Sequence, residues 1–374
     1  MFHLIFSLPG LYVLGRFVWP LPWLPVAKVA VTVLVLLASQ YHLFSRLSSG
    51  SPFSPEMPRS LVLAFNWAFG AILLLALLQL MLDLATVVAM LVQRQRIAIP
   101  PGLRYAIGLG AMALAALGVS QAVRVPPLRD VTIEVKNLPP AFEGYRLLQL
   151  TDLHISRLFQ QPWARAVVDD SNRLGVDFVV ITGDLIDGSL ENRRQDVEPL
   201  RDLRAPDGVY VIPGNHEYFF DYQQWMDHFQ GMGMKPLANG HAVLRRGDAR
   251  LVLAGVTDFS APSVGLPGPD LDLALAGAPA GVPVVLLDHQ PRKARLAAAK
   301  GVAVQLSGHT HGGMIIGLHR LLALANEGFV SGLYEVQGMA LYVNNGTALW
   351  PGFALRLGKP SELTRITLVR QKAG

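Results

Sequence analysis

The sequence predicts a two-part fold, with an α-helical membrane domain over residues 1–124 followed by an α/β layered domain over residues 125–374. The first part consists of long apolar runs that contain only ten charged side chains, whereas 24 of the 32 basic and 25 of the 27 acidic residues lie beyond residue 124. The second part changes to short β-branched runs that alternate with helical stretches and turns, a pattern typical of layered α/β domains.

Four apolar runs in the first part approach or exceed the ~20 helical residues that cross a hydrocarbon core. They are Leu4–Pro20, Val26–Phe44, Leu61–Val92 and Leu103–Val123. The first run is the weakest candidate, since Arg16 and Pro20 crowd its end and it could lie at the interface. A cleaved signal peptide is disfavoured, because the basic n-region is missing and three more apolar runs follow.

The loop Gln93–Arg104 carries three arginines and no acidic residue. Loops with excess positive charge stay on the cytoplasmic side of a membrane. With four crossings, everything after Val123 is then extracytoplasmic, so we expect a multi-pass inner (plasma) membrane protein with a periplasmic second domain. Because the excess of basic residues belongs to the membrane part, the high pI gives no reason to expect nucleic-acid binding.

Polar side chains follow five of the predicted strands of the second part. The nine predicted strands are Val131–Val135, Arg146–Leu150, Phe178–Thr182, Val209–Ile212, Leu251–Val256, Val284–Leu287, Val302–Leu306, Ala340–Val343 and Thr364–Val369. The acidic, amide and imidazole groups at their carboxyl ends are Asp152, His154, Asp184, Asn215, His216, His289, His309 and His311. Ligands bind beyond the carboxyl ends of strands in such sheets, so we expect these groups at one edge.

These residues belong to five short motifs, each of which alone is ordinary turn chemistry. The motifs are Thr151-Asp152-Leu153-His154, Gly183-Asp184-Leu185-Ile186-Asp187, Gly214-Asn215-His216-Glu217, His289 and Gly308-His309-Thr310-His311-Gly312-Gly313. With all five in this order, the chain resembles the calcineurin-like metallophosphoesterase superfamily over about Val131–Leu368. It is most similar to the bacterial membrane-anchored branch.

The resemblance implies a sandwich of two mixed β-sheets between helices, with a dinuclear metal centre at one sheet edge. It also implies seven metal ligands: Asp152, His154 and His311 for the first metal, Asn215, His289 and His309 for the second, and Asp184 as the bridge. His216 would stay off the metals as the catalytic acid that protonates the leaving oxygen or contacts the transferred phosphoryl group.

Elementary chemistry agrees with that ligand set. The chain has no cysteine, so a metal site must use His, Asp, Glu or Asn. Two cations about 3.5–4 Å apart need a shared anion and can activate a bridging water. Oxygen and nitrogen donors suit two divalent ions of Mn, Fe or Zn without choosing among them.

The sequence leaves the roles of three neighbouring carboxylates open. Asp187 could support a ligand, but a turn or helix-cap role is favoured. Glu217 and Asp288 could each orient an adjacent imidazole or simply be solvated in a loop.

The function that these observations favour is a membrane-anchored phosphoesterase acting on phosphate esters or pyrophosphates. A lipid head group or envelope precursor is the favoured substrate, because the helices would keep the site at a membrane. Some relatives cleave the pyrophosphate of a UDP-diacylglucosamine lipid, which needs a cytoplasmic site. A catalytically silent metal- or lipid-binding protein and a transporter or sensor are rival hypotheses, and the oligomeric state is open.

Overall fold

The computed structural model describes residues 5–371, so the predicted first span begins just outside it, at Leu4. The chain divides into two compact units. The helical unit contains the residues through Val123 together with a late segment, Trp350–Leu357. The second unit, called here the sheet unit, contains Arg124–Leu349 and the chain from Gly358 onwards.

The helical unit contains five described α-helices. They are α1 (Leu8–Val13, continued by a π-helical turn over Leu14–Val18), α2 (Pro25–Ser39), α3 (Tyr41–Ser49), α4 (Arg59–Gln93) and α5 (Pro101–Ala122). Helices α4 and α5 are long and apolar enough to cross a membrane, and α2 with α3 would form a third span if this pair, bent by 50°, is one crossing. Among residues 5–371, the predicted four spans are therefore reduced to two or three, because the described part of the first run contains only a short apolar helix, Leu8–Val18.

A network of hydrogen bonds pairs the one acidic side chain of α4. Asp83 Oδ2 accepts from Tyr12 Oη at 2.6 Å and from Arg16 Nε at 2.9 Å. Its other oxygen, Oδ1, accepts from Gln79 Nε2 at 2.8 Å. Ionisable groups within apolar helices are costly unless they are paired in this way. Asp83 thus ties α4 to the first helix of the unit.

The late segment Trp350–Leu357 is held inside the helical unit by two polar side chains. The carbonyl of Pro351 accepts from Asn66 Nδ2 at 2.8 Å and from Tyr41 Oη at 2.7 Å. The amide of Ala354 donates to Asn66 Oδ1 at 2.6 Å. Asn66 and Tyr41 are both buried, so these bonds satisfy polar groups that would otherwise be costly. The segment is therefore built into the unit rather than resting on its surface.

The sheet unit contains two six-stranded sheets, with strand orders β1-β12-β2-β3-β4-β5 and β10-β11-β9-β8-β7-β6. The strands are β1 (Leu128–Val135), β2 (Tyr145–Leu150), β3 (Phe178–Thr182), β4 (Val209–Ile212), β5 (Lys235–Pro236), β6 (Gly240–Arg246), β7 (Ala249–Gly255), β8 (Val284–Leu287), β9 (Val304–Ser307), β10 (Gly332–Val336), β11 (Met339–Val343) and β12 (Leu363–Arg370). Both sheets combine parallel and antiparallel pairs, which confirms the predicted two mixed sheets.

Helices cover the outer face of each sheet. They are α6 (Gln161–Asn172), α7 (Leu190–Val197), α8 (Tyr222–Gly231), α9 (Leu271–Leu275) and α10 (Ala294–Ala299). A further helix, α11 (His319–Ala325), contains no buried residue. One buried cluster, which includes Phe178 and Val285, fills the space between the two sheets. Two further clusters join the outer faces to helices, for example through Trp225 on the first sheet and Ala297 on the second. The layers are thus helix, sheet, sheet and helix.

Strand direction decides where the functional side chains meet. Strands β2, β3 and β4 are parallel neighbours in the first sheet, and β7, β8 and β9 are parallel neighbours in the second. Their carboxyl ends therefore open on one edge of each sheet. Gln149 Nε2, on β2, donates to the carbonyl of Ser307 at the end of β9, at 3.1 Å. This bond joins the two functional edges directly.

Candidate metal centre

The five loops that follow β2, β3, β4, β8 and β9 carry all eight residues singled out in the sequence. Six of them are buried, and Asn215 and His309 are partly exposed. The buried ones are Asp152, His154, Asp184, His216, His289 and His311. So many buried polar groups within one small region are costly unless they are paired or bind an ion. The two partly exposed residues mark the side from which a ligand can enter.

Three of these residues form a first group of donors. The ligand atoms of Asp152, His154 and His311 all lie within 4.8 Å of one another. His154 Nε2 is 3.3 Å from His311 Nε2, and His311 Nε2 is 3.6 Å from Asp152 Oδ1. Such convergence of one carboxylate and two imidazoles matches a site for a divalent cation.

A second group of donors lies beside the first. The ligand atoms of Asp184, His289 and His309 also lie within 4.8 Å of one another. Asn215 Oδ1 is 2.9 Å from His309 Nδ1 and 3.2 Å from His289 Nε2, so the amide oxygen points into the same group. His289 Nδ1 lies 2.8 Å from the carbonyl of Thr182, to which it can donate a hydrogen bond. In the neutral ring that donates this bond, Nε2 carries no proton and can bind a metal.

Asp184 lies between the two groups. Its Oδ2 is 3.8 Å from His154 Nε2 on one side and 3.2 Å from His289 Nε2 on the other. Its Oδ1 accepts a hydrogen bond from the backbone amide of His216 at 2.8 Å. A carboxylate that faces two imidazole groups is suited to bridging two cations.

The backbone of these loops is strained at the functional residues. Five of them have positive φ angles, a region that non-glycine residues seldom occupy: Asp152 (52°), His154 (42°), Asp184 (55°), His309 (69°) and His311 (49°). Each such residue costs on the order of 1–3 kcal/mol, and strain of this kind is concentrated at functional sites. Gly183 permits the close packing, since a Cβ there would lie 2.6 Å from Gly214 N. The loops are therefore shaped for the position of their side chains.

Glu217 supports the backbone and not an imidazole. Its buried carboxylate accepts hydrogen bonds from the amides of Asp184 (3.0 Å), Leu185 (2.7 Å) and Gly214 (2.7 Å). Burial and the nearby charge of Asp184 raise the pKa of Glu217 to about 7. Glu217 thus fastens the loop after β3 to the loop after β4, which differs from both roles that the sequence left open for it.

Asp187 contacts two imidazoles of the centre, a role that its sequence context does not indicate. It is fully buried, its Oδ2 is 3.0 Å from His154 Nδ1, and its Oδ1 is hydrogen-bonded to His216 Nδ1. The sequence favours a turn or cap role because Asp is a common turn residue. The sequence feature that could have indicated this role is the position of Asp187 in the same short motif as Asp184. One carboxylate therefore orients both a predicted ligand and the predicted acid.

Asp288 does not orient its neighbour His289, because the ring nitrogens of that imidazole face Thr182, Asn215 and Asp184. Asp288 is buried, so it is not solvated in a loop either. Burial and the charge of Asp258 raise the pKa of Asp288 to about 7. Its main electrostatic neighbour is thus another carboxylate.

Charges around the centre set the protonation of its histidines. Burial lowers the pKa of His216, but the carboxylates of Asp184 and Asp187 outweigh that effect and raise it to about 9 before any metal binds. Burial and the charge of His289 lower the pKa of His309 to about 3. Without metal, His216 is thus protonated near neutral pH and His309 is neutral, the form in which an imidazole binds a metal.

Arg292 is a cation near the centre that none of the five sequence motifs includes. It lies on the 3₁₀ turn Pro291–Lys293, and its guanidinium stacks on the ring of Phe259 at 4.0 Å from the centroid. Its charge contributes to the lowered pKa of His309. The buried Nε of this guanidinium has no hydrogen-bond partner among residues 5–371. A stacked guanidinium with spare donors is suited to binding phosphate.

The donor set fits divalent cations. Asp184 belongs to the second group of donors and also forms a group with His154 and His216. The donors are oxygen and nitrogen, and an orienting partner is present for His154 and His289. The clustered Asp and His groups could therefore bind metal, while the number of ions, their identity and the individual ligand roles stay predictions.

Comparison with known proteins gives concordant matches. The family model described as calcineurin-like phosphoesterase matches residues 145–313. A Danio rerio protein named "Transmembrane protein with metallophosphoesterase domain" is 35% identical over 264 residues, which cover 68% of this chain and 60% of that protein. An "Uncharacterized metallophosphoesterase" of Aquifex aeolicus (strain VF5) is 31% identical over 240 residues, which cover 63% of this chain and 89% of that protein. The chain thus spans about 60% of the length of the vertebrate relatives it matches.

Proposed function

Because the chain belongs to the calcineurin-like phosphoesterase family, we propose that it is a metal-dependent hydrolase of phosphate esters or pyrophosphates. The observation that carries the proposal is the position of Asp184, whose Oδ2 faces both His154 and His289. Two divalent cations held there would clamp a phosphoryl group and lower the pKa of a bridging water.

The side chains of the centre would have separate roles in binding metal and substrate. Asp152, His154 and His311 would hold one cation, Asn215, His289 and His309 the other, and Asp184 both. Arg292, stacked on Phe259, would bind a free phosphate oxygen of the substrate through its guanidinium.

His216 would give a proton to the leaving oxygen. Its Nδ1 is held by Asp187, so the proton to be transferred is on Nε2, which lies 3.9 Å from Asp184 Oδ2 and faces the donor groups. The charge of Asp187 raises the pKa of His216 and would favour the protonated ring when cations occupy Asp184. A positioned acid of this kind contributes about 10²–10⁴ in rate.

The substrate class that we propose is a phosphate ester of a membrane lipid or an envelope precursor. The chain has two to three candidate spans, and the Danio rerio relative is named a transmembrane protein. Confining enzyme and substrate to one membrane raises their effective concentration. Residues 94–100 join the two long helices and carry Arg94 and Arg96, whereas Arg104 lies on α5. The two loop arginines support an extracytoplasmic centre at the inner membrane. A cytoplasmic UDP-diacylglucosamine-type reaction would require the opposite orientation.

Two substitutions test the separation between metal binding and proton transfer. In the full-length protein, His216→Ala should keep its metal content but lose about 10²–10⁴ in turnover of a soluble phosphodiester. Asp184→Asn should lose metal, because the shared negative charge is gone. His241→Ala is the control, since His241 lies outside the centre and hydrogen-bonds to Ala274.

Metal analysis and turnover on the same samples decide the outcome. Full activity in either the His216 or the Asp184 variant would contradict the assigned roles. A wild-type protein that binds metal but hydrolyses neither soluble nor lipid phosphoesters would instead support a silent binding protein.

A further inference from the structure

An apolar segment, residues 315–325, follows the ligand-bearing loop after β9. It includes α11, in which no residue is buried. Ile316, Leu321 and Leu324 are 70%, 65% and 83% exposed, the highest values for large apolar side chains in the described part of the sheet unit. Single exposed leucines are normal on a protein surface, but a cluster of them indicates an interaction surface.

The apolar segment borders the candidate metal centre. The 3₁₀ turn His311–Gly313 precedes it, and a Cβ on Gly313 would lie only 2.5 Å from the Cα of His319, at the start of α11. After α11 the chain returns to the same loop, where Thr310 Oγ1 donates to the carbonyl of Val330 at 2.6 Å. The segment is therefore fixed at both ends to the loop that carries His309 and His311.

The exposed face of α11 combines basic and apolar side chains. Residues three or four positions apart lie on the same face of a helix, which groups Arg320 with Leu324 and Leu321 with Leu324. All three are exposed. Leucines bordered by a cation are typical of helices that lie in a membrane interface, where lipid phosphates attract the basic group.

Chain continuity links this segment to the helical unit. Ile315 forms a β-bridge with Gly358. The residue before Gly358 is Leu357, the last residue of the segment that belongs to the helical unit. That unit contains the candidate membrane spans. The bilayer around those spans is therefore a candidate apolar environment for the exposed side chains of this segment.

We propose that residues 315–325 dock on the bilayer that holds the helical unit, with Ile316, Leu321 and Leu324 inserted among the acyl chains. Docking there would present lipid head groups to the side of the centre that carries His309 and His311. The part of this inference that concerns lipid turnover rests on the proposed function, whereas the part that concerns docking does not.

Docking can be measured directly because the chain contains no cysteine. The full-length variants Leu324→Cys and Ile316→Cys, each labelled with a polarity-sensitive fluorophore, are placed in nanodiscs with one chain per disc. Leu273→Cys is the matched control, since Leu273 is 56% exposed on α9. We expect blue-shifted emission and quenching by acyl-chain nitroxide lipids at positions 316 and 324, and an aqueous, unquenched label at position 273.

An aqueous label at both segment positions would overturn the proposal, as would equal quenching at all three positions. Quenching or a blue shift that arises only when two chains share a disc would identify a second copy of the chain as the occupant, which would also overturn it.

Activity provides a second readout. Leu321→Asp combined with Leu324→Asp should lower kcat/KM for a bilayer phospholipid at least about tenfold, since burial of one leucine corresponds to roughly an order of magnitude in affinity. Turnover of a soluble phosphodiester should stay unchanged, and Leu273→Asp should affect neither substrate. Equal loss on both substrates would refute lipid docking, whereas no turnover in the wild type would count against the proposed function and leave the label result to decide docking.

Discussion

Asp187→Asn is the most informative single change in the centre. The substitution keeps the size of a fully buried side chain and removes its charge. Asp187 makes two charge-assisted contacts, one to His154 Nδ1 at 3.0 Å and one to His216 Nδ1. A hydrogen bond to a charged group contributes roughly 1.5–3 kcal/mol. At about 1.4 kcal/mol per factor of ten, we expect turnover to fall by about 10–150-fold.

The same change should move the pH dependence. Burial opposes the protonated form of His216, and the charges of Asp184 and Asp187 restore it and raise the pKa. With cations bound to Asp184, Asp187 is the main remaining negative partner of the imidazole. Its loss lowers the pKa of His216, so the protonated acid is lost at lower pH. The alkaline limb of the kcat profile should therefore shift to lower pH.

The assay is kcat from about pH 5 to about pH 10 at saturating metal, a range that brackets the expected titration of the acid. Metal content is measured on the same samples. Asp170→Asn is the matched control, because Asp170 is a partly exposed carboxylate outside the centre that is paired with Arg173. Wild-type turnover and an unshifted profile in the Asp187 variant would refute the reasoning. Loss of metal with an unshifted profile for the remaining activity would show that Asp187 acts through His154 alone.

Two further predictions concern the substrate anion and the membrane orientation. Arg292→Ala should raise KM for a soluble phosphodiester about tenfold with little change in kcat, and Arg292→Lys should restore only part of the loss because lysine lacks the planar fork; an unchanged KM in steady-state kinetics would remove Arg292 from the substrate site. A reporter that is active only outside the cytoplasm should be active when fused after Gly374 and silent when inserted near Ile97. The opposite pattern of reporter activity would reverse the proposed orientation and favour a cytoplasmic lipid-precursor reaction.

The strand ends can be predicted from the sequence because each buried β-branched run stops near a Gly or Asp that also carries the chemistry. The sequence predicts β3 and β4 to the residue for this reason. Strand β6, Gly240–Arg246, has no counterpart among the predicted strands because it lies at a sheet edge, is largely only half-buried and ends in two arginines. Edge strands need less apolar sequence, so their pattern is weaker.

Contacts between residues far apart in the chain could not be predicted from the sequence. The bend near Gln40 falls inside the run Val26–Phe44, which the hydropathy pattern predicts as a single span. The role of Asp187 is hidden for a similar reason, since only the folded chain brings His154 and His216 to the same carboxylate. The place of Trp350–Leu357 in the helical unit likewise depends on Asn66, which lies 285 positions before Pro351.

That last feature has a consequence for how such a protein can evolve. A genetic recombination event near codon 124 would replace most of the membrane anchor. It would also separate Trp350–Leu357 from the side chains of Tyr41 and Asn66, which form hydrogen bonds with its backbone. A chimera would carry an apolar octapeptide without a binding partner, and it would be prone to misfold or aggregate. The helices and the phosphoesterase fold should therefore be inherited together, as one genetic module.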